Sequence, residues 1–373
     1  MGKKLRVSIL FNQPVTAEPE GRQYVSEKGL LNEWPPFTRR STKGTQSRKR
    51  SPTQQMIDLS EVGVVEEMED IKAALSALGY KPSIFNVDSD IERLYGYLKL
   101  ERPDLVFNLV ESLENEAIQE MNVAALYELL KIPYTGAGPL ALGTALNKPR
   151  VKQILASQGI KTPRFQVFHP GEKITLRIDI PFPAIVKPAR EDASAGIGDD
   201  SVVYAAADLK KRVHFIFEEF RQPALVEQYI DGRELNVAIL GNRPPIALPI
   251  SEIDFSGLSE GMHHIVSYEA KWMHGTVAYE GTKGVCPAPL TAAQEAKMKA
   301  IALQCFELIG LRDYARVDLR LSRENVIYVL EVNPNPDISD DAGFARSARA
   351  QGYTFAEIVG KIVEVALQRY KVL

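Results

Sequence analysis

Cysteine is scarce in this chain of 373 residues. Only Cys286 and Cys305 occur, and no metal-ligand spacing links them. Two are too few for a disulfide scaffold, so we read both as reduced thiols, as in a cytosolic protein. Histidine is scarce too. The five residues His169, His214, His263, His264 and His274 form no paired metal-binding spacing. No apolar run is long enough to cross a bilayer. The basic-then-apolar start, Met1 to Phe11, is interrupted at Asn12-Gln-Pro14, too soon for a secretory signal. A net charge of −3 gives the whole chain no bias toward nucleic acid or membrane, and we expect neither as a partner. No Gly-x-Gly-x-x-Gly follows the first strand, which argues against a dinucleotide site. No Ser/His/Asp or Cys/His arrangement suggests a protein nucleophile.

What is present begins with an ordinary globular composition, 45% hydrophobic and 25% charged, in a length that calls for two or three domains. Val7–Phe11 reads as a buried first strand. Residues 12–60 then form a polar insertion, read as a mobile loop. Its run from Arg39 to Arg50 carries six basic residues and no acid. Either it is a phosphate- or nucleic-acid-attracting lid or a solvated loop, and the lack of interleaved aromatics favours the loop. Val65, Met68, Ile71, Leu75 and Leu78 recur at helical spacing, and Gly79 ends that helix. Strands at 83–87 and 104–110 alternate with helices near 90–100 and 115–131. This order predicts a small parallel sheet with helices on its faces. Further on we expect a helix over 148–159, strands at 165–168 and 183–187, a helix at 208–220, and strands at 225–230 and 234–240. A helix at 291–309, a hairpin and a closing helix at 354–370 complete the chain.

The hairpin carries the chemistry. Arg316-Val-Asp-Leu-Arg-Leu and Ile327-Tyr-Val-Leu-Glu-Val-Asn333 flank a turn near Ser322–Asn325. Side chains alternate faces along a strand, so Arg316 shares a face with Asp318 and Glu331 shares one with Asn333. Two carboxylates, a carboxamide oxygen and a guanidinium on one face suit magnesium, a hard cation that takes a few carboxylates plus substrate phosphates. The arginine adds a fixed positive fork beside developing negative charge. A surface hairpin of solvated charges is the bland alternative, and the apolar Val326, Ile327, Val329 and Leu330 argue against it.

Two weaker signals precede the hairpin. In Ala184-Ile-Val-Lys187-Pro-Ala-Arg190-Glu-Asp-Ala-Ser194-Ala-Gly196, a strand ends in lysine and a loop of small residues follows. Small residues let backbone N–H groups approach phosphate oxygens. Such a loop is as readily just a loop, and it lacks the Gly-Lys-Ser/Thr ending of a Walker loop. Leu225-Val-Glu227-Gln-Tyr-Ile230-Asp-Gly-Arg-Glu234 reads as strand, turn and strand, with an edge able to meet an adenine and carboxylates able to accept from ribose hydroxyls. Alone it is a plain hairpin.

Their order gives these signals weight. Pro133-Tyr-Thr-Gly136, Asn147-Lys148, Ile185-Val-Lys187-Pro, Glu227 with Glu234, Tyr268-Glu-Ala-Lys271, Arg316-Val-Asp318 and Leu330-Glu-Val-Asn333 succeed one another along nearly the whole chain outside 12–60. In that order the chain resembles the ATP-grasp superfamily, and within it the D-alanine–D-alanine ligases. The resemblance implies a three-domain ATP-grasp architecture, α/β and α+β. Its parts would be an N-terminal parallel-sheet substrate domain at 1–140, a central domain at 141–232 and a C-terminal domain with the metal site at 233–373. It implies ATP and Mg as cofactors. Lys148 and Lys187 would hold the phosphates, and Glu227, Gln228 and Ile230 would frame the adenine. Glu234 would take the ribose, and Lys271 would add charge near the phosphates. Asp318, Glu331 and Asn333 would bind metal, while Arg316 steadies the transition state. Glu61 would receive a substrate amino group, and Ser194 stands in the catalytic loop. The implied reaction joins small-molecule carboxylate and amine substrates through an acyl phosphate, in a homodimer.

The acceptor half departs from that pattern. The His-Gly motif after the third strand is replaced by Asn108-Leu-Val-Glu111. The Gly-Ser-Ser-Val-Gly loop becomes Asp192-Ala193-Ser194-Ala195-Gly196. Trp272 replaces a tyrosine. The Ser-Pro-Gly-Met-Thr segment becomes Asn335-Pro-Asp337-Ile-Ser339, and Ala342 replaces a later serine. We therefore expect an amide-forming ligase whose substrates differ from two D-alanines. Glu111, Glu114, Asp337, Asp340 and Asp341 are either an acidic acceptor site for a cationic substrate or solvated acids. True D-alanyl-D-alanine synthesis is one rival; a catalytically silent nucleotide-binding protein is the other, and the intact metal face argues against it.

Overall fold

The computed structural model describes residues 4–12, 23–25, 31–33, 63–114, 116–339 and 342–370. Glu61, the basic run 39–50, Asp340 and Asp341 lie outside the described residues. The 12–60 insertion is not wholly without regular structure: Gln23–Val25 and Leu31–Glu33 pair as a short antiparallel hairpin.

Three parallel strands form the N-terminal sheet, ordered Lys81–Asn86, Arg6–Phe11, Leu105–Leu109. The outer strand Leu105–Leu109 is buried throughout, as an apolar run covered on both faces must be. The helix Val64–Ala77 follows the expected periodicity. It buries Val65, Met68, Ile71 and Leu75, and the chain leaves it through Gly79 at φ +86°. It packs against the closing helix Phe355–Arg369, which Thr354 and Glu357 start with a reciprocal capping box.

The central region is a four-stranded antiparallel sheet, ordered Phe165–Phe168, Ala224–Gln228, Ala184–Pro188, Val202–Val203. The helix Ala206–Phe215 covers it, with Leu209 and Val213 buried. Phe168, Val186, Val213 and Val226 belong to a hydrophobic cluster of its own. The C-terminal sheet is antiparallel and larger. Its path runs Lys283–Val285, Ser251–Asp254, Gly232–Leu240, Tyr314–Ser322, Ile327–Asn333. One face of it shares a cluster with the N-terminal sheet, in which Ile9, Met68 and Phe107 pack with Ala238, Tyr314 and Ile358. The N- and C-terminal parts are therefore joined by common core, whereas the central sheet keeps a separate one.

The predicted strands and helices fall close to their expected places and differ at their ends, while the helices Pro139–Leu146 and Gly343–Ala350 and the strands Ser251–Asp254 and Lys283–Val285 were not expected. The helix expected over 208–220 begins at Ala206, and its last five residues, Ile216–Phe220, wind as a π-helix that ends at Arg221 with φ +52°. The segment expected as a helix over 115–131 is a 3₁₀ turn, Ala117–Gln119, leading into Glu120–Leu129. Gly232 has φ +153°, and a Cβ there would lie 2.1 Å from the Leu321 carbonyl oxygen. Only glycine allows those two strands to approach so closely.

Candidate active site

The Tyr314–Ser322 and Ile327–Asn333 strands pair so that Arg316 lies opposite Asn333 and Asp318 opposite Glu331. A register shift occurs at Asp318/Leu319, where Leu330 is the extra residue. Arg316 and Asp318 interact two-pronged, Nε to Oδ1 at 2.8 Å and Nη2 to Oδ2 at 2.9 Å. Asn333 donates to Asp318 Oδ2 at 2.7 Å. Asn236, on the neighbouring strand Gly232–Leu240, donates to Asp318 Oδ1 at 2.7 Å. Asp318 is thus buried and fixed by three residues from three strands. Burial alone would lower the pKa of Arg316, but Asp318 outweighs it and holds the guanidinium above its ordinary value.

Lys148 reaches this face from the helix Lys148–Ser157. Asn147 caps that helix by accepting from the Arg150 N–H, and Pro149 sits in its first turn. The buried ammonium contacts Glu331 Oε2 at 2.9 Å and Asp192 Oδ1 at 3.0 Å. Burial pulls Lys148 down, and Glu331 and Asp192 more than reverse it. Burial pushes the Glu331 carboxyl up, but Lys148, Lys187 and Arg316 bring it well below the ordinary carboxylate range.

Lys187 lies near the end of the strand Ala184–Pro188, and its ammonium is 2.5 Å from Glu227 Oε2. Glu227 is almost fully buried. Its other oxygen meets Lys152 at 2.5 Å, as a charge pair off the hydrogen-bond axis. Its carboxylate is therefore committed to two lysines. Burial alone would raise it, and Lys152 and Lys187 lower it below the ordinary value. Gln228 lines a separate concavity of about 370 Å³ with Lys161, Thr162, Arg164 and Tyr328. Ile230 is buried at the turn after that strand. Glu234 Oε2 accepts from Arg320 at 2.7 Å, across the strand pair. Burial raises the Glu234 pKa, and Arg320 only partly offsets it.

The small-residue loop is tied down from two directions. Ala193 and Ser194 have φ +55° and +62°. Ser194 Oγ donates to the Val266 carbonyl at 2.8 Å, and the Trp272 indole N–H donates to the Ala193 carbonyl at 2.9 Å. From beneath, Arg212 reaches the Gly196 carbonyl and Asp200, each at 2.7 Å. Trp272 does a second thing: its ring carries the Lys271 ammonium at 4.6 Å. Burial, then Arg316, lowers the Lys271 pKa, while Asp337, Glu111 and Glu331 oppose them.

Next to this cationic centre lies a small acidic cleft of about 10 Å³, room for about one water, lined by Glu67, Asn108, Glu111, Glu120, Asn335 and Asp337. Glu67 accepts from the Ile338 N–H at 3.2 Å, and Glu120 accepts from Asn335 Nδ2 at 2.7 Å. Burial pushes both carboxyls well up, and neighbouring acids push further, Asp337 and Glu111 on Glu67 and Glu111 on Glu120. Glu114 is exposed at the loop beside this cleft, with φ +54°.

Sequence reasoning missed Lys152, Asn236, Arg320, Glu67 and Glu120. Lys152 stands four residues after Lys148, one helical turn on, which is a detectable signal. Asn236 lies two residues after Glu234, on the same face of its strand. The acids left none, because Glu67 lies within a helix whose apolar stripe alone was informative.

Comparison with known proteins shows the family. A family model described as D-ala D-ala ligase C-terminus matches residues 154–364. A D-alanine–D-alanine ligase of Carboxydothermus hydrogenoformans is 32% identical over 79% of this chain and 90% of its own length. The chain belongs to the D-alanine–D-alanine ligase family. Membership makes it an ATP-grasp enzyme, an ATP-dependent carboxylate–amine ligase. An uncharacterized protein of Sinorhizobium fredii is 34% identical over 81% of this chain and 88% of its own length. The crystal structure of a Bacillus anthracis D-alanine–D-alanine ligase complexed with ATP shares the fold, with a TM-score of 0.69 at 20% identity, covering 98% of this chain and 99% of that one. Among the described residues, no helix of this family member is long and apolar enough to cross a membrane.

Proposed function

We propose that this enzyme activates a small carboxylic acid with ATP and transfers the acyl group to an amine that carries further positive charge, rather than joining two D-alanines. The phosphate end rests on one observation: Lys148 contacts Glu331 on the strand face that also carries Arg316, Asp318 and Asn333. A carboxylate oxygen attacks the γ-phosphorus and ADP leaves. The amine nitrogen then attacks the acyl carbon, phosphate leaves, and the amine loses a proton. Such transfers need positioning and charge neutralisation more than a protein nucleophile. Lys148 and Lys187 hold the phosphates, with Lys271 adding charge. Arg316 stands beside the charge that develops. Ser194 and Trp272 keep the loop over the nucleotide.

Among the described residues, no three His, Cys, Asp or Glu side chains form a ready-made metal site. Two carboxylates and a carboxamide fit magnesium nonetheless, because that ion takes few protein ligands and fills the rest with water and phosphate. Asp318, Glu331 and Asn333 would hold it, and it would neutralise phosphate charge. Glu234 and Glu227 to Ile230 are the candidate nucleoside contacts. Of these, the Glu227 side chain serves lysines, so any adenine contact from it is by backbone.

The substrate reading rests on the acidic cleft. Glu67 and Glu120 receive only neutral donors among the described residues, and Glu111 and Asp337 lie beside them. A buried acid of this kind favours a ligand bearing an ammonium or guanidinium group. An ADP-release screen against D- and L-amino acids, singly and in pairs, tests the reading. Release with basic amino acids or diamines supports it. Strong release with D-alanine alone, giving the dipeptide, supports D-alanyl-D-alanine synthesis instead. Absence of release with every pair would favour a silent nucleotide-binding protein. The homodimer implied by the family is checked by light scattering.

A further inference from the structure

Lys152 sits one helical turn after Lys148, and it is 1% exposed. Its ammonium touches three groups: Glu227 Oε1 at 2.5 Å, Thr162 Oγ1 at 3.0 Å and the Leu330 carbonyl at 3.0 Å. A lysine has three N–H donors and no more. Two of them go to Thr162 and Leu330, and the buried ammonium faces Glu227 as a charge pair, so it is turned into the protein rather than toward a nucleotide. What Lys152 touches is informative. Glu227 is the counter-ion of Lys187. Leu330 is the extra residue at the register shift, immediately before Glu331.

We infer that Lys152 is a positioning residue that keeps Lys187 available to the ATP phosphates and sets the position of Glu331 through the Leu330 carbonyl. The inference rests on the ligase reading of the same site. Charge counting carries the first half. Lys152 and Lys187 against the single carboxylate of Glu227 leave one net positive charge facing the cleft. Without Lys152 the remaining pair sums to zero, and a buried carboxylate left with one cation holds it tightly. Lys187, already 2.5 Å from Glu227, would then be its sole counter-ion and would offer less net charge to the phosphates. Geometry carries the second half. A hydrogen bond to the carbonyl of the extra residue fixes where the strand resumes its alternation, and Glu331 is the next residue.

The test is nucleotide binding, measured by calorimetry with Mg·ADP and by the KM for ATP. Lys152→Met should weaken ADP binding about 10-fold or more, the scale of a lost charge-assisted hydrogen bond at the phosphates. Adenosine, which has no phosphate, should bind the variant as it binds the parent. Adding Glu227→Gln to Lys152→Met should restore most of the ADP affinity, because Lys187 is freed. If Lys152 only fills space, the double variant binds no better than the single one, and the inference is overturned. Should Lys152→Met fail to fold, Glu227→Gln alone decides. It leaves both lysines without a counter-ion, so ADP must bind at least as tightly as before, and a 10-fold loss overturns the proposal. Parent protein that binds no ADP sinks the ligase reading and this inference together. Parent and Lys152→Met proteins that bind ADP equally sink the inference alone.

Discussion

At the phosphate end of the cleft, Lys148, Lys152 and Lys187 each meet a carboxylate, and Arg316 meets Asp318 with two bonds. At the end we propose for the acceptor, Glu67 is buried and Glu120 partly so, and their hydrogen bonds come from a backbone N–H and an amide. Burial acts on both ends alike. At the phosphate end the opposite charges win, so Glu227 and Glu331 stay ionised. At the acceptor end the neutral donors do not offset burial, and the carboxyls are pushed toward their neutral form. The first end is organised before any ligand arrives. The second, on the reading we propose, is completed by a ligand that brings positive charge.

The largest expected effect breaks the organised end. Glu331→Gln removes one proposed metal ligand and the partner of Lys148. ADP formation should fall by about 100-fold or more, the loss typical of removing one preorganised charge contact, with the circular dichroism spectrum unchanged. Undiminished turnover in the folded variant would falsify the metal assignment.

The next concerns the acceptor end. D-alanine as sole amino acid should give little ADP release, and Glu120→Gln should lower release with a cationic amine by about 10-fold. A cationic substrate handled equally well by both forms removes the acidic cleft from the argument. A smaller effect is expected from Trp272→Phe. The ring still carries Lys271, but the Ala193 carbonyl loses its donor. One neutral hydrogen bond corresponds to about a 2- to 10-fold rise in KM for ATP. An unchanged KM would mean that the loop is held without Trp272.

The smallest effect is on stability. The folded Glu67 carboxyl titrates above its unfolded value, which is about 4.3. Above that pH the unfolded chain has released a proton that the folded chain retains, so stability falls as pH rises through the window. Glu67→Gln removes that loss and can still accept from Ile338. Its melting temperature should exceed the parent's at pH 8, by about 1–2 °C per kcal/mol regained. The gap should close near pH 4. A gap equal at both values contradicts the account.

Much of the site was legible because alternation along a strand is local. Arg316 and Asp318 are two residues apart, as are Glu331 and Asn333, so a period of two was enough to put each pair on one face. Asn236 joins them from 82 residues away, and no local pattern announces a partner in a neighbouring strand. Arg320 is 86 residues from Glu234, and its pairing with that expected site residue escaped for the same reason. Glu227 looked like a nucleoside contact because its position at the end of a strand was visible, whereas the two lysines that enclose it come from a different helix and a different strand. The departures at Trp272 and Asp337 were visible as letters. What they build was not.

The sequence by itself determined the order of strands and helices, the hairpin face and the membership of the family, because periodicity, caps and motif order are properties of neighbouring residues. Only the tertiary structure decided which charges meet. That pairing depends on strand register and on helices crossing sheets, and in a buried setting it sets which acids remain ionised. It made Glu227 the counter-ion of two lysines, and it gave Glu67 and Glu120 neutral donors where Glu227 has cations.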